Sequence, residues 1–405
     1  MKLMHRNTHM NYWLGAMVTL LLALVLAACS GTGSGTVTVT GSQGSGTSTT
    51  PSPTATTGGS TTPTPAATAT PETTVPLTTI RMLDQMNGWA LTKSSILKTS
   101  DGGQTWHDIT PPGARLNAQS SGDFMDGNHA WVATLQNSTA TIWRTSDGGT
   151  SWQSATFTTK QMALDRPHFI NTQDGWIAAV TGQGMFHEDE EIYQTTNGGQ
   201  SWTMVATTNN PASGLPSEGD KTGISFMNTT TGWATADIPA DYSWLYKTTD
   251  GGKTWHSQPL TAPSGVTNIG EFITTPPVFF GTTGIMPVQI FANNHNGIDL
   301  YVTHNGGQSW TPTQFSGINT QNVYVVDTQH AWATDTTNSN TTIVYATSNG
   351  GQSWQQVSTL AQPVGTLSFT DDQNGWVIGA TSTPLLWHTS DGGHNWQSIK
   401  YSIVR

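Results

Sequence analysis

Carboxylate side chains are the groups in this sequence that have the chemistry for acid–base catalysis or for holding a hard cation. They are densest in the acidic run Glu188–Glu191, which follows His187. Glycoside hydrolysis needs two carboxyl groups about 5 to 9.5 Å apart, one of which keeps its proton. The candidates for such a pair are Glu190, Asp241 and Asp299. No local motif accompanies them, so we assign no catalytic residue from the sequence.

The same part of the chain predicts a binding surface, because it also carries aromatic residues that can stack on a sugar or a peptide. A calcium site is a second interpretation, without a matching loop spacing, and a solvated loop with incidental charge is a third. Trp244 has the further alternative of packing beneath its own structural unit. The residues of the predicted surface are His187, Glu188, Asp189, Glu190, Glu191, Asp241, Tyr242, Trp244, His295 and Asp299.

The elements that must position these side chains come from a sevenfold repeat. Each copy has Asp or Asn followed by Gly-Gly and ends in Trp, as in the segment 100–106, and successive copies lie 42 to 55 residues apart. The Asp or Asn residues are Asp101, Asp147, Asn197, Asp250, Asn305, Asn349 and Asp391. The tryptophans are Trp106, Trp152, Trp202, Trp255, Trp310, Trp354 and Trp396. A period of this length with short strands predicts a β-propeller, and seven copies predict seven blades.

The chemistry of one copy is that of a tight turn between two strands. Asx-Gly is a strong hairpin signal, because the side-chain oxygen accepts hydrogen bonds from turn amides and Gly adopts positive φ at little cost. Four copies use Asp and three use Asn, so the position requires an acceptor rather than a charge. This interpretation argues against metal binding or acid catalysis at the turns. The tryptophans are expected to pack between layers and to contribute to stability.

Two further signals recur in phase with the turns. A Gly-Trp or Ala-Trp pair precedes each turn, as at Gly88-Trp89, except in the fifth repeat, where Ile285 replaces Trp. An Ile/Leu-x-x-Thr strand, with Val344 in place of Ile or Leu in the sixth repeat, ends immediately before each turn, as at 96–99. The repeats therefore predict an all-β, seven-bladed propeller of four-stranded antiparallel blades, with the Asx-Gly-Gly turns between strands C and D. With the strands of a blade lettered A to D in chain order, the long connections join strand B to C or strand D to the next strand A. They would then lie on the opposite face, over blades three to five, and they include Gly182–Glu191 and Phe291–Asp299.

The turns resemble the Asp-box (BNR) repeat, and the additional Gly-Trp and Ile/Leu-x-x-Thr strands resemble the photosystem II assembly/stability factor-like propellers. This resemblance covers about residues 76–405. It implies a propeller fold, but Asp boxes occur in sialidases, other glycosidases and non-enzymatic binders. A sialidase needs three arginines around a carboxylate. After residue 80 the chain has only Arg81, Arg115, Arg144, Arg166 and Arg405, and Arg144 occupies an ordinary repeat position.

The N-terminal part predicts export and anchoring. Residues 1–28 combine Lys2 and Arg6 with an apolar run and resemble a lipoprotein signal peptide, which ends at Leu26-Ala27-Ala28 before Cys29, the only cysteine. Cys29 is therefore the predicted lipidation site on the outer side of a bacterial cell membrane. Residues 29–75 are rich in Gly, Ser, Thr and Pro and predict a disordered linker. The propeller follows at 76–405.

The charge balance narrows the partners. The formal net charge is −11, so attraction to the phosphates of nucleic acids is missing. No cofactor or metal motif is present, and we expect a monomer. We therefore predict a membrane-tethered, extracytoplasmic and non-enzymatic binding or assembly scaffold for a protein or glycan. The alternative is a glycoside hydrolase that uses paired carboxylates on the loop-rich face.

Overall fold

The computed structural model describes residues 75–158, 162–293, 295–320, 322–338, 341–380 and 383–405. All of them lie in the second, Ala67–Arg405, of the two units into which the chain divides. The predicted signal peptide, Cys29 and all of the predicted linker except Val75 lie outside the described residues. No helix in the described ranges is long and apolar enough to cross a membrane.

The described chain is built from short β-strands and one 3-10 helix, Pro211–Ser213. In blades 1 to 3 the strands are β1 (Thr79–Met82), β2 (Gly88–Leu91), β3 (Ile96–Thr99), β4 (Thr105–Asp108), β5 (Ser121–Phe124), β6 (Ala130–Gln136), β7 (Thr139–Thr145), β8 (Gln153–Thr158), β9 (Ala163–Leu164), β10 (His168–Phe169), β11 (Gly175–Gly184), β12 (His187–Thr195) and β13 (Thr203–Thr207). In blades 4 and 5 they are β14 (Asp220–Phe226), β15 (Gly232–Ile238), β16 (Leu245–Thr248), β17 (His256–Ser257), β18 (Ile269–Thr274), β19 (Val278–Phe280), β20 (Thr283–Ala292), β21 (His295–Thr303) and β22 (Thr311–Pro312). In blades 6 and 7 they are β23 (Val323–Val325), β24 (Ala331–Asn338), β25 (Thr341–Thr347), β26 (Gln355–Leu360), β27 (Val364–Phe369), β28 (Gly375–Gly379), β29 (Leu386–Thr389) and β30 (Gln397–Ile399), and the last strand is β31 (Ser402–Val404).

These strands form seven antiparallel blades, which confirms the predicted all-β propeller. Each blade pairs its strands in chain order, from the inner strand A to the outer strand D. Blades 4 and 5 share one sheet, because β15 also pairs with β18. The inner strand is split in blade 3 around Pro167 and in blade 5 around Pro276 and Pro277, since proline cannot donate to the strand ladder.

The A–B and C–D turns lie on one face of the propeller, as predicted. In every blade the first Gly of the Asx-Gly-Gly turn donates its backbone N–H to a carbonyl of the A–B turn. The seven pairs are Gly102–Met86, Gly148–Asn128, Gly198–Gln173, Gly251–Thr230, Gly306–Thr282, Gly350–Gln329 and Gly392–Gln373. We call this side the turn face. The B–C and D–A connections form the opposite, loop-rich face.

Each Asx side chain organises its turn through one oxygen. In blade 2 Oδ1 of Asp147 accepts from the Thr145 hydroxyl and from the Ser151 backbone N–H. Oδ1 of Asn197 accepts from the corresponding Thr195 and Ser201 groups in blade 3. The second side-chain atom adapts: Oδ2 of Asp147 accepts from the Ser151 hydroxyl, whereas Nδ2 of Asn197 donates to the Ser201 hydroxyl. Asp and Asn are thus interchangeable in geometry.

Neighbouring blades are joined by the strand-B tryptophans, which pack between the sheets. The indole of Trp131 in blade 2 stacks on Phe169 of blade 3 with ring centroids 3.7 Å apart. Its Nε1 donates to the carbonyl of Gly198, in the turn of blade 3, at 2.9 Å. The same stack recurs for Trp176 on Phe226, at 3.8 Å, and for Trp332 on Phe369, at 3.6 Å. The tryptophan that recurs in the repeats therefore makes a contact between blades as well as belonging to its own strand.

The ring closes between blades 7 and 1 through the same contact and an added strand. Nε1 of Trp376 donates to the carbonyl of Gly102 at 3.0 Å. Beyond blade 7, β31 pairs in parallel with β4 and becomes a fifth strand of blade 1. The Tyr401 hydroxyl donates to the carbonyl of Val75 at 2.6 Å. The ring is thus closed both by the packing of blade 7 on blade 1 and by the C-terminal strand.

Candidate functional site

Extended β-hairpins, rather than loops, form much of the loop-rich face. The predicted connection Gly182–Glu191 is wrong as a loop: β11 and β12 continue through it and turn at Met185 and Phe186. The predicted connection Phe291–Asp299 likewise lies in the β20–β21 hairpin. Successive residues of a strand alternate between its two faces, so this correction separates residues that a loop would have presented together.

The acidic run is divided by that alternation. Glu188 and Glu190 are buried toward blade 4, whereas Asp189 and Glu191 are partly exposed on the other side of β12. Oε2 of Glu191 accepts from the Tyr193 hydroxyl at 2.7 Å. His187 is exposed at the hairpin end, and its Nε2 lies 3.5 Å from Oδ1 of Asp189. The run is therefore neither a solvated loop nor a single cation site.

The inward-facing residues form one cluster with Asp165 and Lys221, which we call the Glu190 cluster (Asp165, Glu188, Glu190 and Lys221). Glu188 accepts from the Lys221 backbone N–H at 2.6 Å and from the Gln183 amide at 2.8 Å. Oε1 of Glu190 and Oδ2 of Asp165 are buried and have no hydrogen-bond partner within the part of the chain that the structure describes. The Lys221 ammonium donates to the carbonyls of the loop 217–219 and lies 4.5 Å from the Trp244 ring.

Burial and mutual repulsion raise the proton affinity of these acids. Burial, reinforced by Glu188, raises the pKa of Asp165 to about 7. Burial also raises the pKa of Glu190 well above its ordinary value, and the Asp165 charge adds to that effect. Burial lowers the pKa of the Lys221 ammonium, against the attraction of Glu190 and Glu188. The cluster therefore holds protons near neutral pH.

A second group of acids lies where blades 4 and 5 share their sheet. Asp237 faces Asp220 across β14 and β15. Burial, followed by the charges of Glu271 and Asp220 and a hydrogen bond to the Glu271 carboxyl, raises the pKa of Asp237 to about 7. Two carboxyl groups in direct hydrogen-bond contact are too close to hold a glycosidic bond between them.

The predicted catalytic candidates are in different surroundings. Glu190 is buried between blades 3 and 4, Asp299 is fully buried in β21, and Asp241 is exposed in the connection after β15. The three lie on different elements of blades 3, 4 and 5. The carboxyl that accompanies Glu190 is Asp165, which sequence reasoning missed. Its signal was the dipeptide Arg166-Pro167, because the proline breaks the inner strand and leaves Asp165 at the break.

The remaining predicted surface residues are also divided. Tyr242 is exposed, and its hydroxyl donates to Glu218 at 2.8 Å. Trp244 is buried, so it packs beneath its blade and is not available to stack on a ligand. His295 begins β21 opposite Ala292. Of the predicted surface, His187, Asp241 and Tyr242 are exposed.

Five of the nine large exposed apolar side chains of the described residues lie on the loop-rich face near blades 3 to 5: Met162, Met185, Phe186, Tyr242 and Phe315. The other four are Val75, Met86, Met204 and Val278. Met185 at the tip of the β11–β12 hairpin is 89% exposed. On the turn face, Met86 is also exposed and provides a useful reference. Isolated apolar residues are common on surfaces, but a concentration at the tips of extended elements is typical of a contact surface.

A central cavity of about 630 Å³ lies beside the inner strands of blades 3 to 6. Its wall includes Asp165, Arg166, His168 and the apolar residues Val278 and Phe279. Nε2 of His168 lies 3.0 Å from the carbonyl of Phe226, so it carries the proton and donates. Burial lowers the pKa of His168, which favours the neutral ring. No group of three or more potential metal ligands is gathered in the described ranges.

These features define a seven-bladed β-propeller whose variable hairpins lie on one face. The model of the Sortilin-Vps10 family, described as Sortilin, neurotensin receptor 3, matches residues 94–213 and 298–405. This match covers more than half of the chain, and the chain belongs to that family. No match was found among curated proteins.

Solved structures with a similar fold include proteins of different activity. YCF48 from Cyanidioschyzon merolae is 19% identical over 80% of this chain and 98% of its own, with a TM-score of 0.48. An ancestral GH74 enzyme is 12% identical over 84% of this chain and 48% of its own, with a TM-score of 0.50. An oligogalacturonate lyase in complex with manganese is 9% identical over 80% and 98%, with a TM-score of 0.53. These similarities establish the fold alone.

Proposed function

We propose that this propeller is a non-enzymatic binding or assembly scaffold that engages a protein through its loop-rich face. The observation that carries the proposal is the concentration of exposed apolar side chains at the tips of the hairpins and connections near blades 3 to 5. Methionine and aromatic side chains adapt to a partner and supply most of the contact energy in many interfaces.

The proposed repeat type and membrane anchor are based on the sequence. In this proposal the seven turns are Asp-box repeats, and the chain is similar to the photosystem II assembly/stability factor-like propellers. The lipidated Cys29 tethers the domain to the extracytoplasmic side of a bacterial membrane, and the linker gives it reach. Membrane fractionation of a Cys29→Ser variant tests the anchor: we expect release or uncleaved precursor, and unchanged membrane association would refute lipidation at Cys29.

A glycoside hydrolase is the second candidate, because one acid borders a cavity. Asp165 lines the central cavity and has a pKa raised to about 7, as a general acid at neutral pH requires. Its neighbour Glu190 is 1% exposed and does not line that cavity. A nucleophile or base must reach the substrate, so this burial favours the scaffold.

The experiment compares two matched surface variants of the intact propeller. Met185→Ser/Phe186→Ser alters the loop-rich face, and Met86→Ser, which removes an exposed methionine from the turn face, is the control. Cross-linking in the native host should recover a partner with the wild type and with Met86→Ser. Recovery should be lost with Met185→Ser/Phe186→Ser. Equal recovery with all three would place the contact elsewhere and contradict the proposal.

A glycan panel assayed in parallel tests the second candidate. We expect no hydrolysis by the wild type. Turnover that disappears in Asp165→Asn and Glu190→Gln, with the folded state retained by circular dichroism, would replace the scaffold with an enzyme. Binding of a glycan without turnover, lost in the apolar variant, would keep the scaffold and change its partner.

A further inference from the structure

The contact between blades 5 and 6 departs from the pattern that joins the other blades. Ile285 stands where the other blades have the strand-B tryptophan. Val325 of blade 6 stands where blades 2, 3, 4, 5 and 7 have the phenylalanine that stacks on that tryptophan. Both rings of the stacked pair are therefore missing at this one junction, which we call the 5/6 seam.

The missing indole also removes an N–H donor, because at other junctions the tryptophan donates to a backbone carbonyl in the turn of the next blade. At four junctions the tryptophan Nε1 donates to the carbonyl of the first turn glycine of the next blade; these are Trp131–Gly198, Trp176–Gly251, Trp332–Gly392 and Trp376–Gly102. At two others a lysine ammonium donates to a turn glycine of the next blade: Lys98 to the first glycine, Gly148, and Lys247 to the second, Gly307. Each lysine is the cross-strand neighbour of its tryptophan. At six junctions an N–H donor of one blade thus serves the carbonyl of one of the two turn glycines of the next blade.

At the seventh junction, the 5/6 seam, neither the carbonyl of Gly350 nor that of Gly351 has such a donor among the described residues. Val302 occupies the position that Lys98 and Lys247 hold elsewhere, opposite Ile285. An open cleft of about 560 Å³ lies at this place and is lined by Val302, Pro312 and Gly350. The rest of its wall consists of threonine, serine, asparagine, glutamine and His304, with no acidic, lysine or arginine side chain.

Volume alone does not distinguish this cleft from those at the neighbouring seams. The cleft between blades 7 and 1 has about 500 Å³ and that between blades 6 and 7 about 190 Å³. Their walls, however, contain Trp376 and Trp332, whose Nε1 groups already donate to the turn carbonyl. The 5/6 seam combines an accessible cleft, an absent ring and a carbonyl without a protein donor.

We propose that the cleft at the 5/6 seam is a binding site for a flat aromatic ring that carries an N–H group, with indole as the defining chemistry. The ring lies against Val302 and Pro312, and its N–H donates to the carbonyl of Gly350. The uncharged wall selects a neutral ring, because it offers no counter-ion. The ligand is either a free indole-type molecule or the side chain of a tryptophan in a partner. The site lies on the turn face and is independent of the proposed scaffold contact.

The test uses 5-fluoroindole as the probe, followed by ¹⁹F NMR with the intact propeller. We expect a saturable shift of the probe signal that unlabelled indole competes away. 1-Methylindole has the same shape but no N–H, so it should compete about three- to tenfold less well, the usual worth of one hydrogen bond. No saturable shift, or equal competition by 1-methylindole, would overturn the proposal.

Two variants supply an N–H donor for the carbonyl of Gly350 from the protein itself. Ile285→Trp restores the ring of the other blades, and Val302→Lys supplies the ammonium that blades 1 and 4 use. Because Val302 is partly exposed, the lysine variant is expected to fold even where the tryptophan variant does not. Each folded variant should lose at least tenfold in probe affinity. Met86→Ser is the matched control, and its affinity should equal that of the wild type.

The same assay distinguishes the two sources of the ring. N-Acetyl-L-tryptophanamide carries the backbone of a partner residue beside its indole. Competition at least equal to that of indole supports a tryptophan side chain, and weaker competition supports a free small molecule. Unchanged binding in both Ile285→Trp and Val302→Lys would contradict the site itself. Because the probes need no partner protein, failure here leaves the scaffold proposal untouched.

Discussion

The junction between blades 2 and 3 and the 5/6 seam differ in how the same repeat holds its neighbour. At the first, Trp131 stacks on Phe169 and donates to Gly198. At the second, aliphatic residues replace both rings, and the buried cluster of Ile298, Ile318 and Ala333 packs between the blades. The strands of blade 5 nevertheless pair like those of blade 2. The tryptophan is therefore needed between blades rather than within one.

The largest effect should follow from removing the indole of Trp131, which both stacks on the next blade and donates a hydrogen bond to it. Trp131 is 2% exposed, and Trp131→Ala should lower the free energy of unfolding by about 3–5 kcal/mol, as large aromatic truncations in cores do. Ile285→Val at the 5/6 seam should cost only about 0.5–1.5 kcal/mol. Urea unfolding of both variants measures the difference. Equal losses would mean that the indole junction is no stronger than the aliphatic one.

The junction between blades 3 and 4 should be weakened when the buried Asp165 loses its proton and becomes charged. The folded pKa of Asp165, about 7, lies above its ordinary value of 3.8, so the folded protein binds more protons between these values. The free energy of unfolding should therefore fall as the pH rises from about 4 to about 7.

Asp165→Asn should flatten that dependence and stabilise the protein at pH 8 by about 1–3 kcal/mol. Thermal unfolding across this pH range gives the measurement. A variant that is as pH-dependent as the wild type would show that other groups carry the effect. Glu190→Gln is the matched companion, and it should act in the same direction.

Restoring the indole at the 5/6 seam should have a smaller effect. Ile285→Trp adds a ring and a hydrogen bond, but Val325 and Leu300 must adjust to admit it. Leu300 already packs against the glycine that follows Gly350. We expect a gain of about 1 kcal/mol, because overpacking offsets part of the new contact. A loss of several kcal/mol in urea unfolding would show that the seam has no room for the ring.

The smallest effect should come from exchanging the turn residues themselves. Asp147→Asn reproduces the hydrogen bonds that Asn197 makes with Thr195 and Ser201, so stability should change by less than about 0.5 kcal/mol. Asp147→Ala removes the acceptor and should cost about 1–2 kcal/mol. Similar thermal midpoints for the two variants would contradict the acceptor role.

The blades, their strands and their turns could be predicted from the sequence, because the same signals recur from repeat to repeat. The period predicts the number of blades, and the repeated signals predict strand positions: the strand expected at 96–99 is β3 (Ile96–Thr99), and the Gly88-Trp89 pair begins β2. The candidate site could not be predicted, because its residues occur once. Glu190 meets Asp165 only when the strands of blade 3 pair, and Lys221 only after blade 4 packs on blade 3, and no local pattern encodes either encounter.

Strand register explains the other failures. The acidic run was read as a loop because its composition is polar, whereas the partner strand β11 continues beside it and turns every second carboxylate inward. Trp244 resembled a ligand-stacking residue from its neighbours Asp241 and Tyr242. It is instead part of a buried apolar cluster, and the Lys221 ammonium from another strand of the blade lies 4.5 Å from its ring.

The attachment of β31 to blade 1 has a mechanical consequence. The Tyr401 hydroxyl holds the carbonyl of Val75, and β31 runs parallel to β4 on the same blade. A pull transmitted along the chain to Val75 would therefore load the C-terminal strand as well as β1, and the hydrogen bonds between β31 and β4 would share the strain. If the domain is tethered at its N-terminal side, blade 1 acts as the clamp that keeps tension from peeling the ring open.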